Sequence, residues 1–318
     1  MIKIHILESV LDEYEKESEY SLQIKKKIGS GSYGTVYDIG NYHVIKLFHH
    51  STYETTILEE RDCIIPYQSE NRELSLYFRM IKNPLENHIR NYIIPPLVIG
   101  YIKEDIQILN QVYKNGSYYV IMPICYPFYK YHMVKKNDMN KRDFILEFMY
   151  KLLHASLYLE NEYNIVHLDI KMNNIMYLMN PNYRRFEERN DNENNSRKHS
   201  FLILLDFSLL KTCSTRRFEL DDIDIKNGIT KYYLWDTQDE NFQIRHVPSY
   251  SIGVNVIEIL FGKTVVNKLP NRRICEKYIR KIYENYEDIA FICKKMLIDK
   301  VSTLECYTYV KTLYELQE

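Results

Sequence analysis

Between Ile165 and Met176 the chain reads Ile-Val-His167-Leu168-Asp169-Ile-Lys171-Met-Asn-Asn174-Ile-Met, and farther on Leu204-Leu205-Asp206-Phe207-Ser208 follows an apolar run. These residue types at these spacings suit phosphoryl transfer. Asp169 is a carboxylate able to accept a hydroxyl proton, and Lys171 is a cation able to steady a moving phosphoryl group. Asn174 and Asp206 offer hard oxygens to Mg2+ (or Mn2+). Each fragment alone is commonplace; their order and context carry the signal. For His167, orienting the loop by packing is favoured over proton transfer, because Asp169 already supplies a base.

Upstream, Ile28-Gly29-Ser30-Gly31-Ser32-Tyr33-Gly34-Thr35-Val36 is a Gly-x-Gly-x-x-Gly run set among β-type residues. In a dinucleotide-binding fold such a run opens a helix, so that reading is disfavoured. Glycines let a backbone lie close over phosphates with no Cβ in the way. Val36 to Phe48 then reads as strand, two-residue turn at Gly40-Asn41, strand. The period of two puts Val44 and Lys46 on one face, where Lys46 reaches the α/β-phosphates and Val44 covers the base.

The elements needed to position these residues are legible in outline. Ser69 to Ile81 has a capping residue, an acidic first turn and apolar residues at helical spacing. A strand is expected over Ile89–Val98, and another over Tyr118–Met122, running into Pro123-Ile124-Cys125. Asp143 to Leu159 reads as a buried helix, and Tyr250 to Gly262 as a second one closed by glycine. Helical stretches follow around Tyr278–Met296 and Leu304–Leu316, whereas Asn180 to Ser200 is polar, Asn-rich and unable to bury a core.

Together these motifs resemble the eukaryotic-type protein kinase family, from about residue 22 to about residue 312. The resemblance implies an α+β, two-lobed fold. A small antiparallel-sheet lobe with one helix, αC, spans 22–122 after an extension at 1–21, and a larger, mainly helical lobe spans 123–318 with a polar insertion at 181–199. It implies ATP as phosphoryl donor, Lys46 on the nucleotide phosphates, Asp169 as base, Lys171 beside the γ-phosphoryl, and Asn174 with Asp206 on Mg2+. Nucleotide contacts are then expected from Ile28, Gly29, Ser30, Gly31, Ser32, Tyr33, Gly34, Val36, Val44, Met122 (the gatekeeper), Ile124 at the hinge and Met176. A carboxylate on αC should pair with Lys46. Glu59 and Glu60 are nearer in sequence, but Pro66 ends their segment early, so Glu73 is preferred.

Several positions depart from the family pattern. Leu168 replaces the arginine that a phosphorylated activation segment pairs with, so phosphates on Ser214, Thr215 or Thr230 find no cation there and activity without such phosphorylation is expected. Ser208 replaces a glycine. The segment Gly228–Asp236 resembles Thr-x-x-Tyr but lacks the following Ala-Pro-Glu, and its arginine partner is missing near Asp299-Lys300-Val301. Pro248 stands where an Asp usually braces the catalytic loop.

Composition excludes some classes. Lys+Arg 42 against Asp+Glu 43 gives a net charge of -1, which points to neither a nucleic acid nor a membrane surface as partner. No apolar run approaches the roughly 18 residues of a spanning helix, and no secretory leader is visible, so a soluble, cytoplasmic protein is expected. The six cysteines show no zinc spacing and read as free thiols. Thirty tyrosines beside abundant Ile, Asn and Lys resemble the usage of an A+T-biased genome such as a large DNA virus or a parasite. Three functions compete: a Ser/Thr protein kinase acting on a protein substrate, favoured by Lys171 and Thr230; a nucleotide-binding pseudokinase scaffold, suggested by the altered substrate end; and a small-molecule kinase, disfavoured by the glycine run and Lys171.

Overall fold

The structure is a computed structural model that describes residues 2–9, 19–31, 34–49, 69–82, 89, 92–128, 140–178, 201–204, 207, 209–213, 244–269 and 271–316. The chain up to Tyr126 forms one compact unit; Pro127–Tyr177 with Phe201 onward forms another.

The first unit is built on a seven-stranded antiparallel sheet. Its strands are β1 (Ile2–Ser9), β2 (Glu19–Leu22), β3 (Lys26–Ser30), β4 (Gly34–Gly40), β5 (His43–Phe48), β6 (Val98–Ile102) and β9 (Tyr118–Pro123), in the order β2-β1-β6-β9-β5-β4-β3. A separate hairpin, β7 (Ile106–Ile108) and β8 (Gln111–Tyr113), occupies the β6–β9 connection. Helix α1 (Ser69–Lys82) is buried along Leu74, Leu76, Tyr77 and Met80. Three expectations need correction. Residues 2–9, expected in an extension ahead of the sheet, are a strand of it: β1 pairs with β6 and carries buried Ile4 and Ile6 into a core with Tyr37, Ile45, Leu47 and Ile121. Gly100 is what lets β1 lie so close: a Cβ there would meet the His5 carbonyl at 1.9 Å, and Tyr119 donates its hydroxyl to that same oxygen. The hairpin turn sits one residue later than expected, at Asn41-Tyr42, both left-handed, because Gly40 still pairs with His43 after a bulge at Asp38. Finally, Ile89–Val98 is not a strand; the strand is Val98–Ile102, since Pro95-Pro96 offers no ladder donors.

The second unit is mainly helical. Helix α2 (Lys141–Tyr163) starts at Asn140, whose side chain accepts from the Asp143 N–H, and ends at Asn164 in the left-handed region. Strand β10 (Ile165–His167) pairs with β13 (Leu210–Thr212), and β11 (Ile175–Leu178) lies beside β12 (Phe201–Leu204). Helix α3 (Val247–Phe261) takes Pro248 in its first turn, where a missing N–H costs nothing, and closes at Gly262 with φ +87°. The stretch Tyr278–Met296 is not one helix. It is α4 (Arg272–Tyr283) and α5 (Glu287–Lys294), broken at Glu284–Tyr286 and followed by a π turn over Lys295–Asp299. Helix α6 (Thr303–Glu315) is capped by Ser302.

Candidate active site

In the first unit, Val44, Lys46 and Phe48 share one sheet face, with Val44 opposite Met122 and Lys46 opposite Val36 and Val120. The Lys46 Nζ lies 5.1 Å from the Phe48 ring centre and donates to both carboxylate oxygens of Glu73, at 2.8 and 2.7 Å. Tyr77, one turn along α1, donates its hydroxyl to Glu73 Oε1 at 2.9 Å. Glu73 is 0% exposed and Lys46 8%. A charge so deeply buried persists only when paired and hydrogen-bonded, and this one is. Glu59 and Glu60 lie outside the described residues.

The two ends of the glycine run are tied together. Ser30 faces Thr35 across the β3–β4 ladder, and the Gly31 N–H bonds to the Gly34 carbonyl at 2.9 Å. Gly34 has a steric reason: a Cβ would stand 2.8 Å from the Leu47 carbonyl and 3.2 Å from Lys46 Cε. A Cβ at Gly29 or Gly31 would meet none of the described residues within 4 Å beyond its chain neighbours, so their packing does not demand glycine there; a phosphate brought close would. Ile28 is largely exposed and Val36 half-buried, while Ser32 and Tyr33 fall outside the described residues. Met122 is buried near the end of β9. The Ile124 N–H is taken by the Tyr42 carbonyl at 2.7 Å, and the Pro123 carbonyl accepts from the Cys125 thiol at 3.7 Å.

In the second unit, Asp169 is 5% exposed and held from three sides. Lys171 Nζ donates to its Oδ2 at 2.5 Å, Asn174 Nδ2 donates to Oδ2 and to the Asp169 carbonyl at 2.9 Å each, and the Asp169 N–H donates to His167 Nδ1 at 3.0 Å. His167 is thereby an acceptor at Nδ1, and its ring packs on Phe207 at 5.3 Å. Both donors of the Asn174 amide go to Asp169, which leaves its carbonyl oxygen as the atom suited to a hard cation. Asp206 and Ser208 lie outside the described residues, as do the insertion and the segment around Thr230; Met176 is half-buried on β11.

The brace for this loop was missed. Asn255, two turns into α3 from Pro248, donates Nδ2 to the Ile170 carbonyl at 2.8 Å and to the Ser251 carbonyl at 2.8 Å. The readable signal was an asparagine in the otherwise apolar run Gly-Val-Asn255-Val-Ile. Nearby, Ser249 donates to the Val301 carbonyl and Thr303 to the Arg245 carbonyl, both at 2.8 Å.

No family model matches the chain, and no curated protein matches it in sequence. Among solved structures it is similar to the ROP18 kinase domain in complex with AMP-PNP and sucrose, with a TM-score of 0.59 and 13% identity over 99% of this chain and 86% of that one. The chain therefore has a protein kinase-like fold, with a small antiparallel-sheet lobe and a larger helical lobe. Among the described residues no helix is long and apolar enough to cross a membrane, and no three His, Cys, Asp or Glu side chains gather as a metal cluster.

Proposed function

We propose that the protein is a Ser/Thr protein kinase that transfers the γ-phosphoryl of ATP to a protein hydroxyl. The observation that carries this reading is the Asp169–Lys171–Asn174 constellation. A scaffold has no need to set a buried carboxylate beside a lysine on a loop braced by Asn255. Both donors to Asp169 converge on Oδ2, so a substrate hydroxyl gives its proton to Oδ1 as its oxygen attacks the γ-phosphorus. The bond from that phosphorus to the β,γ-bridging oxygen breaks, and ADP leaves. Lys171 balances the charge on the phosphoryl in transit. Lys46, oriented by Glu73, holds the nucleotide phosphates under the Gly29–Gly34 turn, a role supported by the open space at Gly29 and Gly31 and by the AMP-PNP bound to the kinase domain of like fold. Mg2+ (or Mn2+), taken by the Asn174 carbonyl and Asp206, would neutralise phosphate charge. Leu168 supports activity without activation-segment phosphorylation, and the free thiols of Cys125, Cys213, Cys275, Cys293 and Cys306 support a reducing compartment such as the cytoplasm.

The test is transfer from γ-labelled ATP to generic Ser/Thr substrates, comparing the wild type with Asp169→Asn. The variant should lose activity by roughly a thousandfold or more while keeping nucleotide affinity. Wild-type protein that binds ATP with Mg2+ or Mn2+ but labels neither itself nor a substrate would make it a nucleotide-binding scaffold instead.

A further inference from the structure

Thr35 follows the glycine turn and is 0% exposed. Its hydroxyl oxygen meets Gln111 Oε1 at 2.9 Å, His49 Nε2 at 2.7 Å and Ser30 Oγ at 3.1 Å. A hydroxyl has one proton and two acceptor sites. Gln111 Oε1 can only accept, so the Thr35 proton goes there, and the other two bonds are donated to Thr35 by His49 Nε2–H and the Ser30 hydroxyl. The Tyr113 hydroxyl, two residues beyond Gln111, also bears on Thr35, so the hydroxyl is held by groups from both sides of the turn and from the hairpin.

The residues of this knot come from different strands. Ser30 ends β3 and Thr35 lies in β4, so the two bracket the turn at 31–34; His49 follows β5; Gln111 opens β8 in the added hairpin. The same two strands meet again two residues along, where the Tyr37 and Tyr113 hydroxyls lie 3.1 Å apart with their rings edge-on at 6.4 Å. The period of two places Thr35 and Tyr37 on one sheet face and Val36, whose partner is Lys46, on the other. The knot therefore grips the root of the glycine turn from the side away from Lys46.

We infer that Thr35 is a positioning residue for the glycine turn, through which the β7–β8 hairpin clamps that turn in a shape ready for nucleotide phosphates. This rests on the nucleotide-binding reading above. With Gly31 and Gly34 already tied together and to their strands, the run forfeits less freedom when phosphates arrive, which appears as affinity without any new contact.

Thr35→Val keeps the shape of the side chain and removes the hydroxyl. Titrated with AMP-PNP and Mg2+, it should bind about tenfold more weakly than wild type. Its Gly31 and Gly34 amides should exchange with solvent faster before any nucleotide is added. The KM for ATP should rise with kcat at saturation unchanged, and Thr35→Ser should restore all three readouts. Gln111→Leu, on the hairpin itself, should reproduce part of the loss, whereas Gln107→Leu on the exposed side of β7 should not. If wild type binds AMP-PNP and Thr35→Val matches it in affinity and exchange, the clamp is wrong and the nucleotide reading stands. If wild type takes up no AMP-PNP, the nucleotide reading falls, and the proposed role toward phosphates falls with it.

Discussion

Glu73 and Asp169 are both buried carboxylates beside a lysine, and the two units secure them in different ways. Glu73 is held by charge: a two-pronged contact with Lys46, itself nearly buried, and a phenol from Tyr77. Asp169 has a lysine too, but Lys171 reaches toward solvent, and the rest of the loop is fixed by neutral groups: the Asn174 amide, the His167 ring and the Asn255 amide on Ile170. Removing a member of the first arrangement strands a buried charge. Removing a neutral support from the second takes one hydrogen bond from a carbonyl, an N–H or a carboxylate that keeps its lysine, a smaller penalty. The carboxylate of the first unit is thus held by charges that are buried together, and that of the second by several modest bonds.

The sharpest way to break this contrast is Glu73→Ala. It leaves Lys46 buried beside Phe48 with its main anion gone, and should cost about 3–5 kcal/mol of stability as well as more than tenfold in turnover. Denaturant melts and steady-state rates measure the two. A loss of turnover with an unchanged melt would mean that Lys46 escapes to water and that the pair orients rather than supports.

Asn255→Leu should be gentler on the fold than on the rate. The Ile170 carbonyl loses its donor, at about 1–3 kcal/mol. Against that, the variant also removes the Asn255 carbonyl oxygen, which is buried without a hydrogen-bond partner among the described residues. The two effects oppose, so a net loss near 1 kcal/mol is expected. Asp169, next to Ile170, should lose its placement, and turnover should fall by about tenfold with nucleotide affinity preserved. Equal losses in stability and rate, or none in rate, would remove Asn255 from the catalytic support.

How much of this was legible follows from range. Asp169, Lys171, Asn174 and Lys46 declare themselves because their chemistry is packed into short motifs. Glu73 could be preferred over Glu59 and Glu60 because Pro66 is a local helix stop. Asn255 could not be assigned, since its partner Ile170 is 85 positions away and an asparagine in a helix says only that something polar is near. The place of β1 was half-visible: Ile2, Ile4 and Ile6 alternate as a strand should, but nothing local says that the neighbour is β6. The Thr35 knot is hidden for the same reason, because Gln111 arrives from a hairpin 76 positions on.

The smallest effect concerns a poorly compensated carboxylate of the second unit. Glu160, near the end of α2, has its Oε1 buried without a hydrogen-bond partner among the described residues, and burial pushes its carboxyl up to about 7, against the opposing pull of Thr303 and Arg245. Its ordinary value is 4.5, so between about pH 4.5 and 7 the folded protein keeps a proton that the unfolded chain releases. The stability this contributes is therefore complete below about pH 4.5 and is lost as pH rises through about 7. Glu160→Gln removes the titration while retaining the polar cost of burial, so it should stabilise the protein by about 1 kcal/mol at pH 8 and change little at pH 5. Thermal melts of both proteins across that range decide it. If the variant is instead destabilised at pH 8, Arg245 holds Glu160 as an ion pair in the folded state, and the second unit then has a charge-locked support of the kind that marks the first.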